Sequence, residues 1–182
     1  NISPDHIDRH GSLDGYVLAK RRLLDMSPTD AALVASGQWL LAPTDLDGQN
    51  PDAGKRPHII NNSWGSTQPS LDPFMEDVSL AWDAAGILGI WSNGNSGAQG
   101  CQSSGSPGSR SVNYSVGAYD VDNEIAYFSG RGPGQDGEFK PNISAPGVAV
   151  RSSGPGDSYY SENGTSMAAP HVAGTAALLW SA

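Results

Sequence analysis

The sequence predicts an α/β fold in which a mainly parallel sheet carries helices on both faces. Short apolar runs alternate with longer segments of helical period through the first half of the chain, a pattern typical of a parallel sheet with crossover helices. The runs at 58–63 and 87–92 begin as apolar segments without alternation, as expected of strands that are buried on both faces. Both end in Asn, Ser or Gly, and functional groups collect where such strands end.

Three helices are predicted along the chain. The first begins at the capping signal Ser27–Asp30 and ends before Pro43. The second spans 71–85 and is stopped by Gly86, and the third spans 166–180 and is rich in small residues, as expected of a buried helix. Further strands are predicted at 16–20, 111–118 and 125–128, and the remaining early segments, 1–15 and 44–57, are predicted loops.

Charge and composition exclude some functions. The 182 residues carry a formal net charge of −9, which argues against nucleic acid or an anionic membrane surface as a partner. No apolar run approaches the ~20 residues that a membrane-spanning helix needs. Cys101 is the single cysteine, so no internal disulfide can form, and its small polar neighbours indicate a loop residue rather than a nucleophile.

Ser166 is the candidate nucleophile. It follows Gly164, whose backbone freedom allows the chain to turn into a helix, and it stands at the positive end of the helix dipole. Backbone N–H groups in that first turn are free to meet a developing negative charge. Pro170 is tolerated because it lies close to the helix start. On these features alone, a serine cap in front of a core helix remains the simpler explanation.

The longer stretch Asn163–Gly174 resembles the serine motif of the subtilisin-like serine proteases residue for residue. The resemblance continues through Ser63–Gly65 and through Gly94-Asn95 after an apolar strand, and it is strongest to the bacillopeptidase F-like branch. It covers the chain from about Tyr16 to the end. It implies a subtilisin-like three-layer fold. It also implies that residues 1–182 are the C-terminal two-thirds of a catalytic domain, with the N-terminal strands missing from this sequence.

The resemblance implies a serine endopeptidase that cleaves a peptide or protein substrate through an acyl-enzyme. Ser166 would be the nucleophile, and Asn95 would donate to the oxyanion together with the Ser166 N–H, although a turn also explains Asn95. The resemblance further implies a monomeric, extracellular protein without a nucleic acid or membrane partner. The substrate would pair with Ser63, Trp64 and Gly65, and its specificity pocket would be bordered by Ser92, Asn93, Gly94 and Gly105–Pro107.

A working triad also needs an aspartate and a histidine, and the family motifs that carry them are absent from this sequence. His171 belongs to the serine motif and is not the family's base, and His58 opens a strand, which favours a structural role. His10 matches the histidine motif poorly and lies too close to the substrate segment. We therefore expect the catalytic aspartate and histidine upstream of Asn1, and we expect the 182-residue chain alone to be inactive.

Two alternatives stay open. A sedolisin-type protease would share the Gly-Thr-Ser motif but would use an acidic oxyanion donor where this chain has Asn95. A pseudoprotease would keep the fold and the peptide-binding segment while lacking members of the triad. No cofactor is expected to be required. The oxygen-rich loop Asp45–Asn50 is compatible with a structural calcium ion, but it lacks the closing glutamate of an EF-hand, and a solvated acidic loop explains it better.

Overall fold

The computed structural model describes residues 28–182, so the predicted strand at 16–20 and His10 lie outside the described residues. No helix of the described range is both long and apolar enough to cross a membrane. The elements are α1 (Pro28–Trp39), β1 (Ile59–Asn62), α2 (Glu76–Ala84), β2 (Leu88–Ser92), β3 (Tyr114–Tyr119), β4 (Ile143–Pro146), β5 (Val150–Ser153), β6 (Tyr159–Glu162) and α3 (Thr165–Trp180). Short 3-10 turns lie at Ala53–Lys55, Gly97–Gln99 and Gln135–Gly137.

The main sheet is parallel and has the strand order β1-β2-β3-β4. β1 pairs with β2 in a register that sets Ile59 opposite Leu88 and Asn62 opposite Trp91. Parallel neighbours need a crossover connection, and α2 provides the one between β1 and β2. Because the four strands run in one direction, the polar residues that follow β1 and β2 meet at the same edge of the sheet. The predicted parallel α/β fold is confirmed.

Helices cover both faces of this sheet. Successive side chains of a strand point to opposite faces, so Ile90 and Trp91 in β2 enter two different cores. The core around Trp91 is completed by side chains of α1, α2 and their flanks, namely Val34, Leu41, Met75, Val78, Trp82 and Ile87. The core around Ile90 is completed by small residues of β3, β4 and α3 and by one loop alanine, namely Val116, Ala118, Ala126, Ala145, Ala168 and Ala169.

Aromatic side chains hold the first core together. Trp82 in α2 stacks on Trp91 with ring centroids 5.9 Å apart, and its Nε1 donates a 2.8 Å hydrogen bond to Gly37 O in α1. Trp64, on the segment after β1, packs edge-on against Trp91 at 5.1 Å. Since buried aromatic rings contribute large apolar areas to a core, this cluster fixes the segment after β1 to the sheet.

Helix α3 packs across the other face of the sheet and contacts all four of its strands. Its first turns are buried at Thr165, Ala168 and Ala169, where the small alanine side chains let the helix lie close to the strands. Its last turns are exposed at Leu178, Leu179 and Trp180. The prediction of a buried helix therefore fails for these last turns, and burial is concentrated around Ser166.

The structure corrects other sequence predictions. Segment 125–128 is not a strand, because only Ile125 forms an isolated bridge, with Tyr119, before the chain turns. The second helix begins at Glu76 rather than 71, since the Asp72 side chain accepts a 3.0 Å bond from Phe74 N and holds the preceding residues in a turn. The sequence analysis does not predict β4, a strand of the main sheet. It also does not predict β5 and β6, which pair antiparallel as a separate hairpin. Their side chains are almost all exposed, so they lack the apolar pattern of a core strand.

The loop after β2 rests on the backbone of a distant segment. Gly97 N donates a 2.7 Å hydrogen bond to Phe128 O, and Gly130 N donates a 2.9 Å bond to Gly94 O. A Cβ atom on Gly97 would lie only 2.0 Å from Ser129 O, so any side chain there would separate the loop from its support. This contact fixes the loop that carries Asn95.

Gly97→Ala is expected to destabilise the full-length protein by about 3 kcal/mol, at the upper end of the cost of overpacking. The exposed neighbour Ala98 provides the matched control, because Ala98→Ser adds one atom where nothing is displaced and should change stability by no more than about 0.5 kcal/mol. Urea unfolding followed by tryptophan fluorescence measures both. Equal midpoints for the two variants would contradict the close contact at Gly97.

Candidate active site

Ser166 lies at the start of α3, directly beside the end of β1. It is the second residue of the helix and is half-buried. Its Oγ donates a 3.0 Å hydrogen bond to Ser63 O, while Ser63 Oγ donates a 2.7 Å bond to Ser166 O. Asn61 Nδ2 donates a 2.9 Å bond to Ser63 Oγ. These bonds join the carboxyl end of the sheet to the helix start and fix the position of Ser166.

Asn95 reaches the same helix start from the loop after β2. Its Oδ1 accepts two hydrogen bonds from Thr165, one from the backbone N and one from Oγ1, each 2.9 Å long. Thr165 Oγ1 also accepts a 3.2 Å bond from Gly94 N, and this threonine is fully buried. Because both bonds engage the amide oxygen of Asn95, its amide nitrogen is left as a donor toward the open side.

Two N–H donors converge on the space beside Gly164. A Cβ atom built there would lie 3.4 Å from Asn95 Nδ2 and 3.6 Å from Ser166 N. Glycine keeps this space open, with φ 157° and ψ 159°, a conformation that other residues rarely adopt. The Ser166 N–H lies in the first helical turn, where it has no intrahelical acceptor and where the helix dipole is positive. The arrangement can therefore bind a negatively charged or strongly polarised oxygen next to Ser166.

A cavity of about 400 Å³ opens beside Ser166, between α3 and the β5–β6 hairpin. Tyr160 and Glu162 line it from the hairpin, and Met167 and His171 line it from the helix. Ser166 is thus bordered by the two converging donors and by an open volume lined by both polar and apolar groups.

The predicted substrate segment lies next to Ser166, and its own contacts hold it there. Ser63 O accepts from the Ser166 hydroxyl, and Trp64 O accepts a 3.1 Å bond from Ser92 Oγ. Gly65 is exposed, and a Cβ atom on it would lie 2.9 Å from Ser106 O. The exposed backbone at Gly65 is the part of this segment that is open to an added peptide strand.

The predicted pocket residues Ser92, Asn93 and Gly94 lie at the end of β2. The Ser92 and Asn93 side chains point into the protein, where Asn93 Nδ2 donates a 2.8 Å bond to Gly130 O. The backbone O of Asn93 accepts a 3.0 Å bond from Gly105 N. The side-chain Oδ1 of Asn93 is buried and has no hydrogen-bond partner among residues 28–182. These two side chains therefore hold neighbouring loops together, and only the backbone of the segment is left to border a cleft.

None of the imidazoles in residues 28–182 hydrogen-bonds to Ser166. His171 Nδ1 lies 2.8 Å from Met167 O, one turn back in its own helix. The His58 ring packs against Trp180 with centroids 5.1 Å apart. Both contacts are consistent with the expectation that neither histidine is the base for this serine.

The acidic loop at Asp45–Asn50 is closed by its own hydrogen bonds. Asp45 Oδ1 accepts a 2.7 Å bond from Gln49 N, and Asp45 Oδ2 accepts a 2.8 Å bond from Asn50 Nδ2. The Gln49 backbone bond, followed by the Asn50 side-chain bond, lowers the pKa of the Asp45 carboxyl. Within residues 28–182 no group of three His, Cys, Asp or Glu side chains is placed to hold a metal ion. As arranged, both carboxylate oxygens of Asp45 accept hydrogen bonds from within its own loop, so Asp45 caps a turn.

Fold and site together define an α/β protein with a serine at a helix start and two N–H donors beside it. The model of the subtilase family matches residues 17–182, and the chain belongs to this family. The chain is 40% identical to bacillopeptidase F of Bacillus subtilis (strain 168), over 97% of this chain and 12% of that protein. It is 46% identical to subtilisin BL of Lederbergia lenta, over 67% of this chain and 41% of that protein.

The solved structure of the prenylagaramide maturation protease PagA is also similar. It has a TM-score of 0.66 and 25% sequence identity, over 84% of this chain and 50% of that chain. This chain therefore spans 12% of bacillopeptidase F, 41% of subtilisin BL and half of PagA.

Sequence reasoning misses two residues that the structure brings into the site, Thr165 and Asn61. Thr165 stands between the motif glycine and Ser166, and only its contacts with Gly94 and Asn95 reveal that it joins two segments. Asn61 carries a weak signal, because residues two apart in a strand share a face and Asn61 precedes Ser63 by two.

Thr165→Val is expected to destabilise the full-length protein by about 1–3 kcal/mol, because it leaves the partly buried Gly94 N–H without its acceptor. The amide of Gly94 should also exchange faster with solvent. Thr175→Val is the matched control on the same helix, since that exposed hydroxyl bonds to the His171 carbonyl of its own helix. Urea unfolding and amide exchange of both variants are compared with the wild type. Unchanged exchange at Gly94 in Thr165→Val would contradict the role given to this threonine.

Proposed function

We propose that the protein is a subtilisin-type serine endopeptidase that cleaves peptide or protein substrates through an acyl-enzyme, with Ser166 as the nucleophile. One observation carries the proposal: Asn95 Nδ2 and the Ser166 N–H converge on the space beside Gly164. A pair of donors placed in this way stabilises the oxyanion of a tetrahedral intermediate. Membership of the subtilase family supports the same function.

The reaction begins with attack of Ser166 Oγ on the scissile carbonyl carbon. In the resting geometry this hydroxyl donates to Ser63 O. Because a serine hydroxyl is a weak nucleophile, it must transfer its proton to a general base as it attacks. The carbonyl oxygen gains charge and accepts hydrogen bonds from Asn95 Nδ2 and the Ser166 N–H. The protonated base then gives its proton to the leaving amine, and water hydrolyses the acyl-enzyme through the same groups.

The substrate is held as an extended strand beside Gly65, whose backbone is exposed. The neighbouring Trp64 ring is fixed in the aromatic core, so this segment is a rigid template. The side chain before the scissile bond lies between this segment and the backbone of Ser92–Gly94.

The general base and the aspartate that orients it come from sequence upstream of Asn1. Two observations support this part of the proposal. The described histidines make other contacts, and the cavity beside Ser166 offers about 400 Å³ for further side chains. A histidine in that cavity would be close to Ser166, which is one of the residues that line it.

The 182-residue chain on its own is expected to hydrolyse casein no faster than its Ser166→Ala variant, because a serine hydroxyl without a base is a weak nucleophile. The full-length protein that contains the chain is the positive control. Casein hydrolysis by the isolated chain at the rate of the full-length protein would show that no upstream group is needed.

Asn95→Ala in the full-length protein is expected to lower kcat for a peptide substrate by about 100- to 1000-fold, with little change in KM. The size of this loss is the one established for the oxyanion-hole asparagine of subtilisin, itself a subtilase. Asn95→Asp keeps an oxygen for the Thr165 contacts and lacks the N–H donor, so it should lose nearly as much. Ser166→Ala gives the background rate. A kcat within about threefold of wild type in both Asn95 variants would rule out the oxyanion role.

A peptide-binding pseudoprotease is the alternative function. It would use the same exposed backbone at Gly65 while lacking a base for Ser166. Peptide binding by the full-length protein without Ser166-dependent hydrolysis would establish this alternative. The amide at Asn95 and the subtilase match both favour the subtilisin type over a sedolisin type, whose oxyanion donor is acidic.

An extracellular location and a monomeric state are part of the same proposal and rest on the family resemblance. Proteolytic activity in the culture medium of the source cells, absent from a strain in which Ser166 is replaced by alanine, would support the location. Sedimentation of the full-length protein would report its oligomeric state.

A further inference from the structure

Lys140 is a buried cation that the proposed catalytic machinery does not use. The residue is only 5% exposed, and its ammonium donates to Asn113 O and, at 3.1 Å, to Asn142 Oδ1. Both acceptors are uncharged, and no carboxylate of residues 28–182 forms an ion pair with it. Burying an ammonium in this way is energetically unfavourable unless its hydrogen-bond partners are well placed. Burial lowers the pKa of Lys140, and the Glu138 carboxylate opposes that shift.

The two acceptors of Lys140 lie just before two neighbouring strands. Asn113 precedes β3, and Asn142 precedes β4. Asn142 Oδ1 also accepts a 2.8 Å bond from Ser115 N in β3, so one amide oxygen joins the lysine to the sheet. The lysine stem is enclosed as well, because a Cβ atom on Gly134 would lie 2.7 Å from Lys140 Cγ. The ammonium therefore occupies a fixed position at the amino ends of β3 and β4.

From Asn113 the hydrogen bonds continue to the loop beside the substrate segment. Asn113 is buried, and its Nδ2 donates a 2.7 Å bond to Pro107 O. The preceding residue, Ser106, accepts a 2.7 Å bond at its carbonyl from Ser66 N, directly after Gly65. Only two hydrogen bonds thus separate the Lys140 ammonium from the loop that borders the exposed backbone of the substrate segment.

We propose that Lys140 is a positioning residue for peptide binding, which acts through Asn113 to hold the Gly105–Pro107 loop against the segment that follows β1. Removing the ammonium leaves the buried backbone carbonyl of Asn113 without its charged donor. The Asn113 side chain keeps its own bond to Pro107 O, but the backbone that carries this side chain is no longer anchored by the lysine. The loop then fluctuates, and the peptide meets a cleft that is no longer preorganised. This role rests on the proposed protease function, but the order of the loop can be measured without activity.

Lys140→Met keeps most of the stem volume and removes the ammonium. In the full-length protein, amides of residues 105–113 are expected to exchange about tenfold faster than in wild type, while those of β2 and α3 keep their rates. For a peptide substrate, KM should rise about tenfold and kcat should change less than about twofold, because the reacting groups at Ser166 are untouched. Lys140→Arg, which keeps the charge and donors, should recover part of both losses.

Lys55→Met is the matched control, since it removes an ammonium that is 73% exposed by the same substitution and should change neither readout. If Lys140→Met does not fold, Asn113→Ala cuts the next link while keeping the lysine, and the same local exchange and KM changes are expected. Wild-type exchange of 105–113 in either folded variant would overturn the proposal, as would an unchanged KM in an active protein. A full-length wild type without proteolysis would refute only the protease function, and the exchange of 105–113 would still decide the role of Lys140.

Discussion

The hydrogen bonds of the buried Thr165 side chain are the link on which the site depends. Thr165 Oγ1 donates to Asn95 and accepts from Gly94, so one hydroxyl joins the loop after β2 to the start of α3. The helix has no local side-chain cap at Gly164, and Asn95 supplies one from 70 residues earlier by accepting from Thr165 N. A single asparagine therefore caps the helix with its oxygen and offers its nitrogen beside Ser166. Donors held in this way need no reorganisation during a reaction, which is the condition for strong electrostatic stabilisation.

A second constraint is the close approach of backbone to backbone around this link. A Cβ atom on Gly130 would lie 2.8 Å from Asn93 O, and one on Gly97 would lie 2.0 Å from Ser129 O. The helix start lies equally close to the sheet, because Ala168 and Ala169 are its buried contacts. Glycines stand at these contacts because they have no side chain, so segments far apart in sequence can pack backbone against backbone. These backbone contacts hold the loop after β2 in a fixed position relative to the start of α3.

The sequence predicts the parts of this structure that depend on periodicity and short motifs. The apolar runs predict β1 and β2, and the polar residues that follow them predict the edge where Ser63 and Asn95 lie. The β5–β6 hairpin escapes prediction because its strands are exposed and have no buried face to impose alternation. The roles of Thr165 and Lys140 also escape it, since each depends on partners that lie dozens of residues away, and no local pattern reports such contacts. The roles proposed for Ser166 and Asn95 are supported by the position of their N–H groups beside Gly164.

We propose that Asn95 Nδ2 and the Ser166 N–H bind the carbonyl oxygen of a substrate as Ser166 attacks it. A crystal structure of the full-length protein with a bound peptide aldehyde would show whether they do. We expect a covalent bond from Ser166 Oγ to the aldehyde carbon, with the new oxygen about 2.7–3.1 Å from both nitrogens. An aldehyde bound to Ser166 with its oxygen turned away from Asn95, or an aldehyde that leaves Ser166 unmodified, would rule out this binding role.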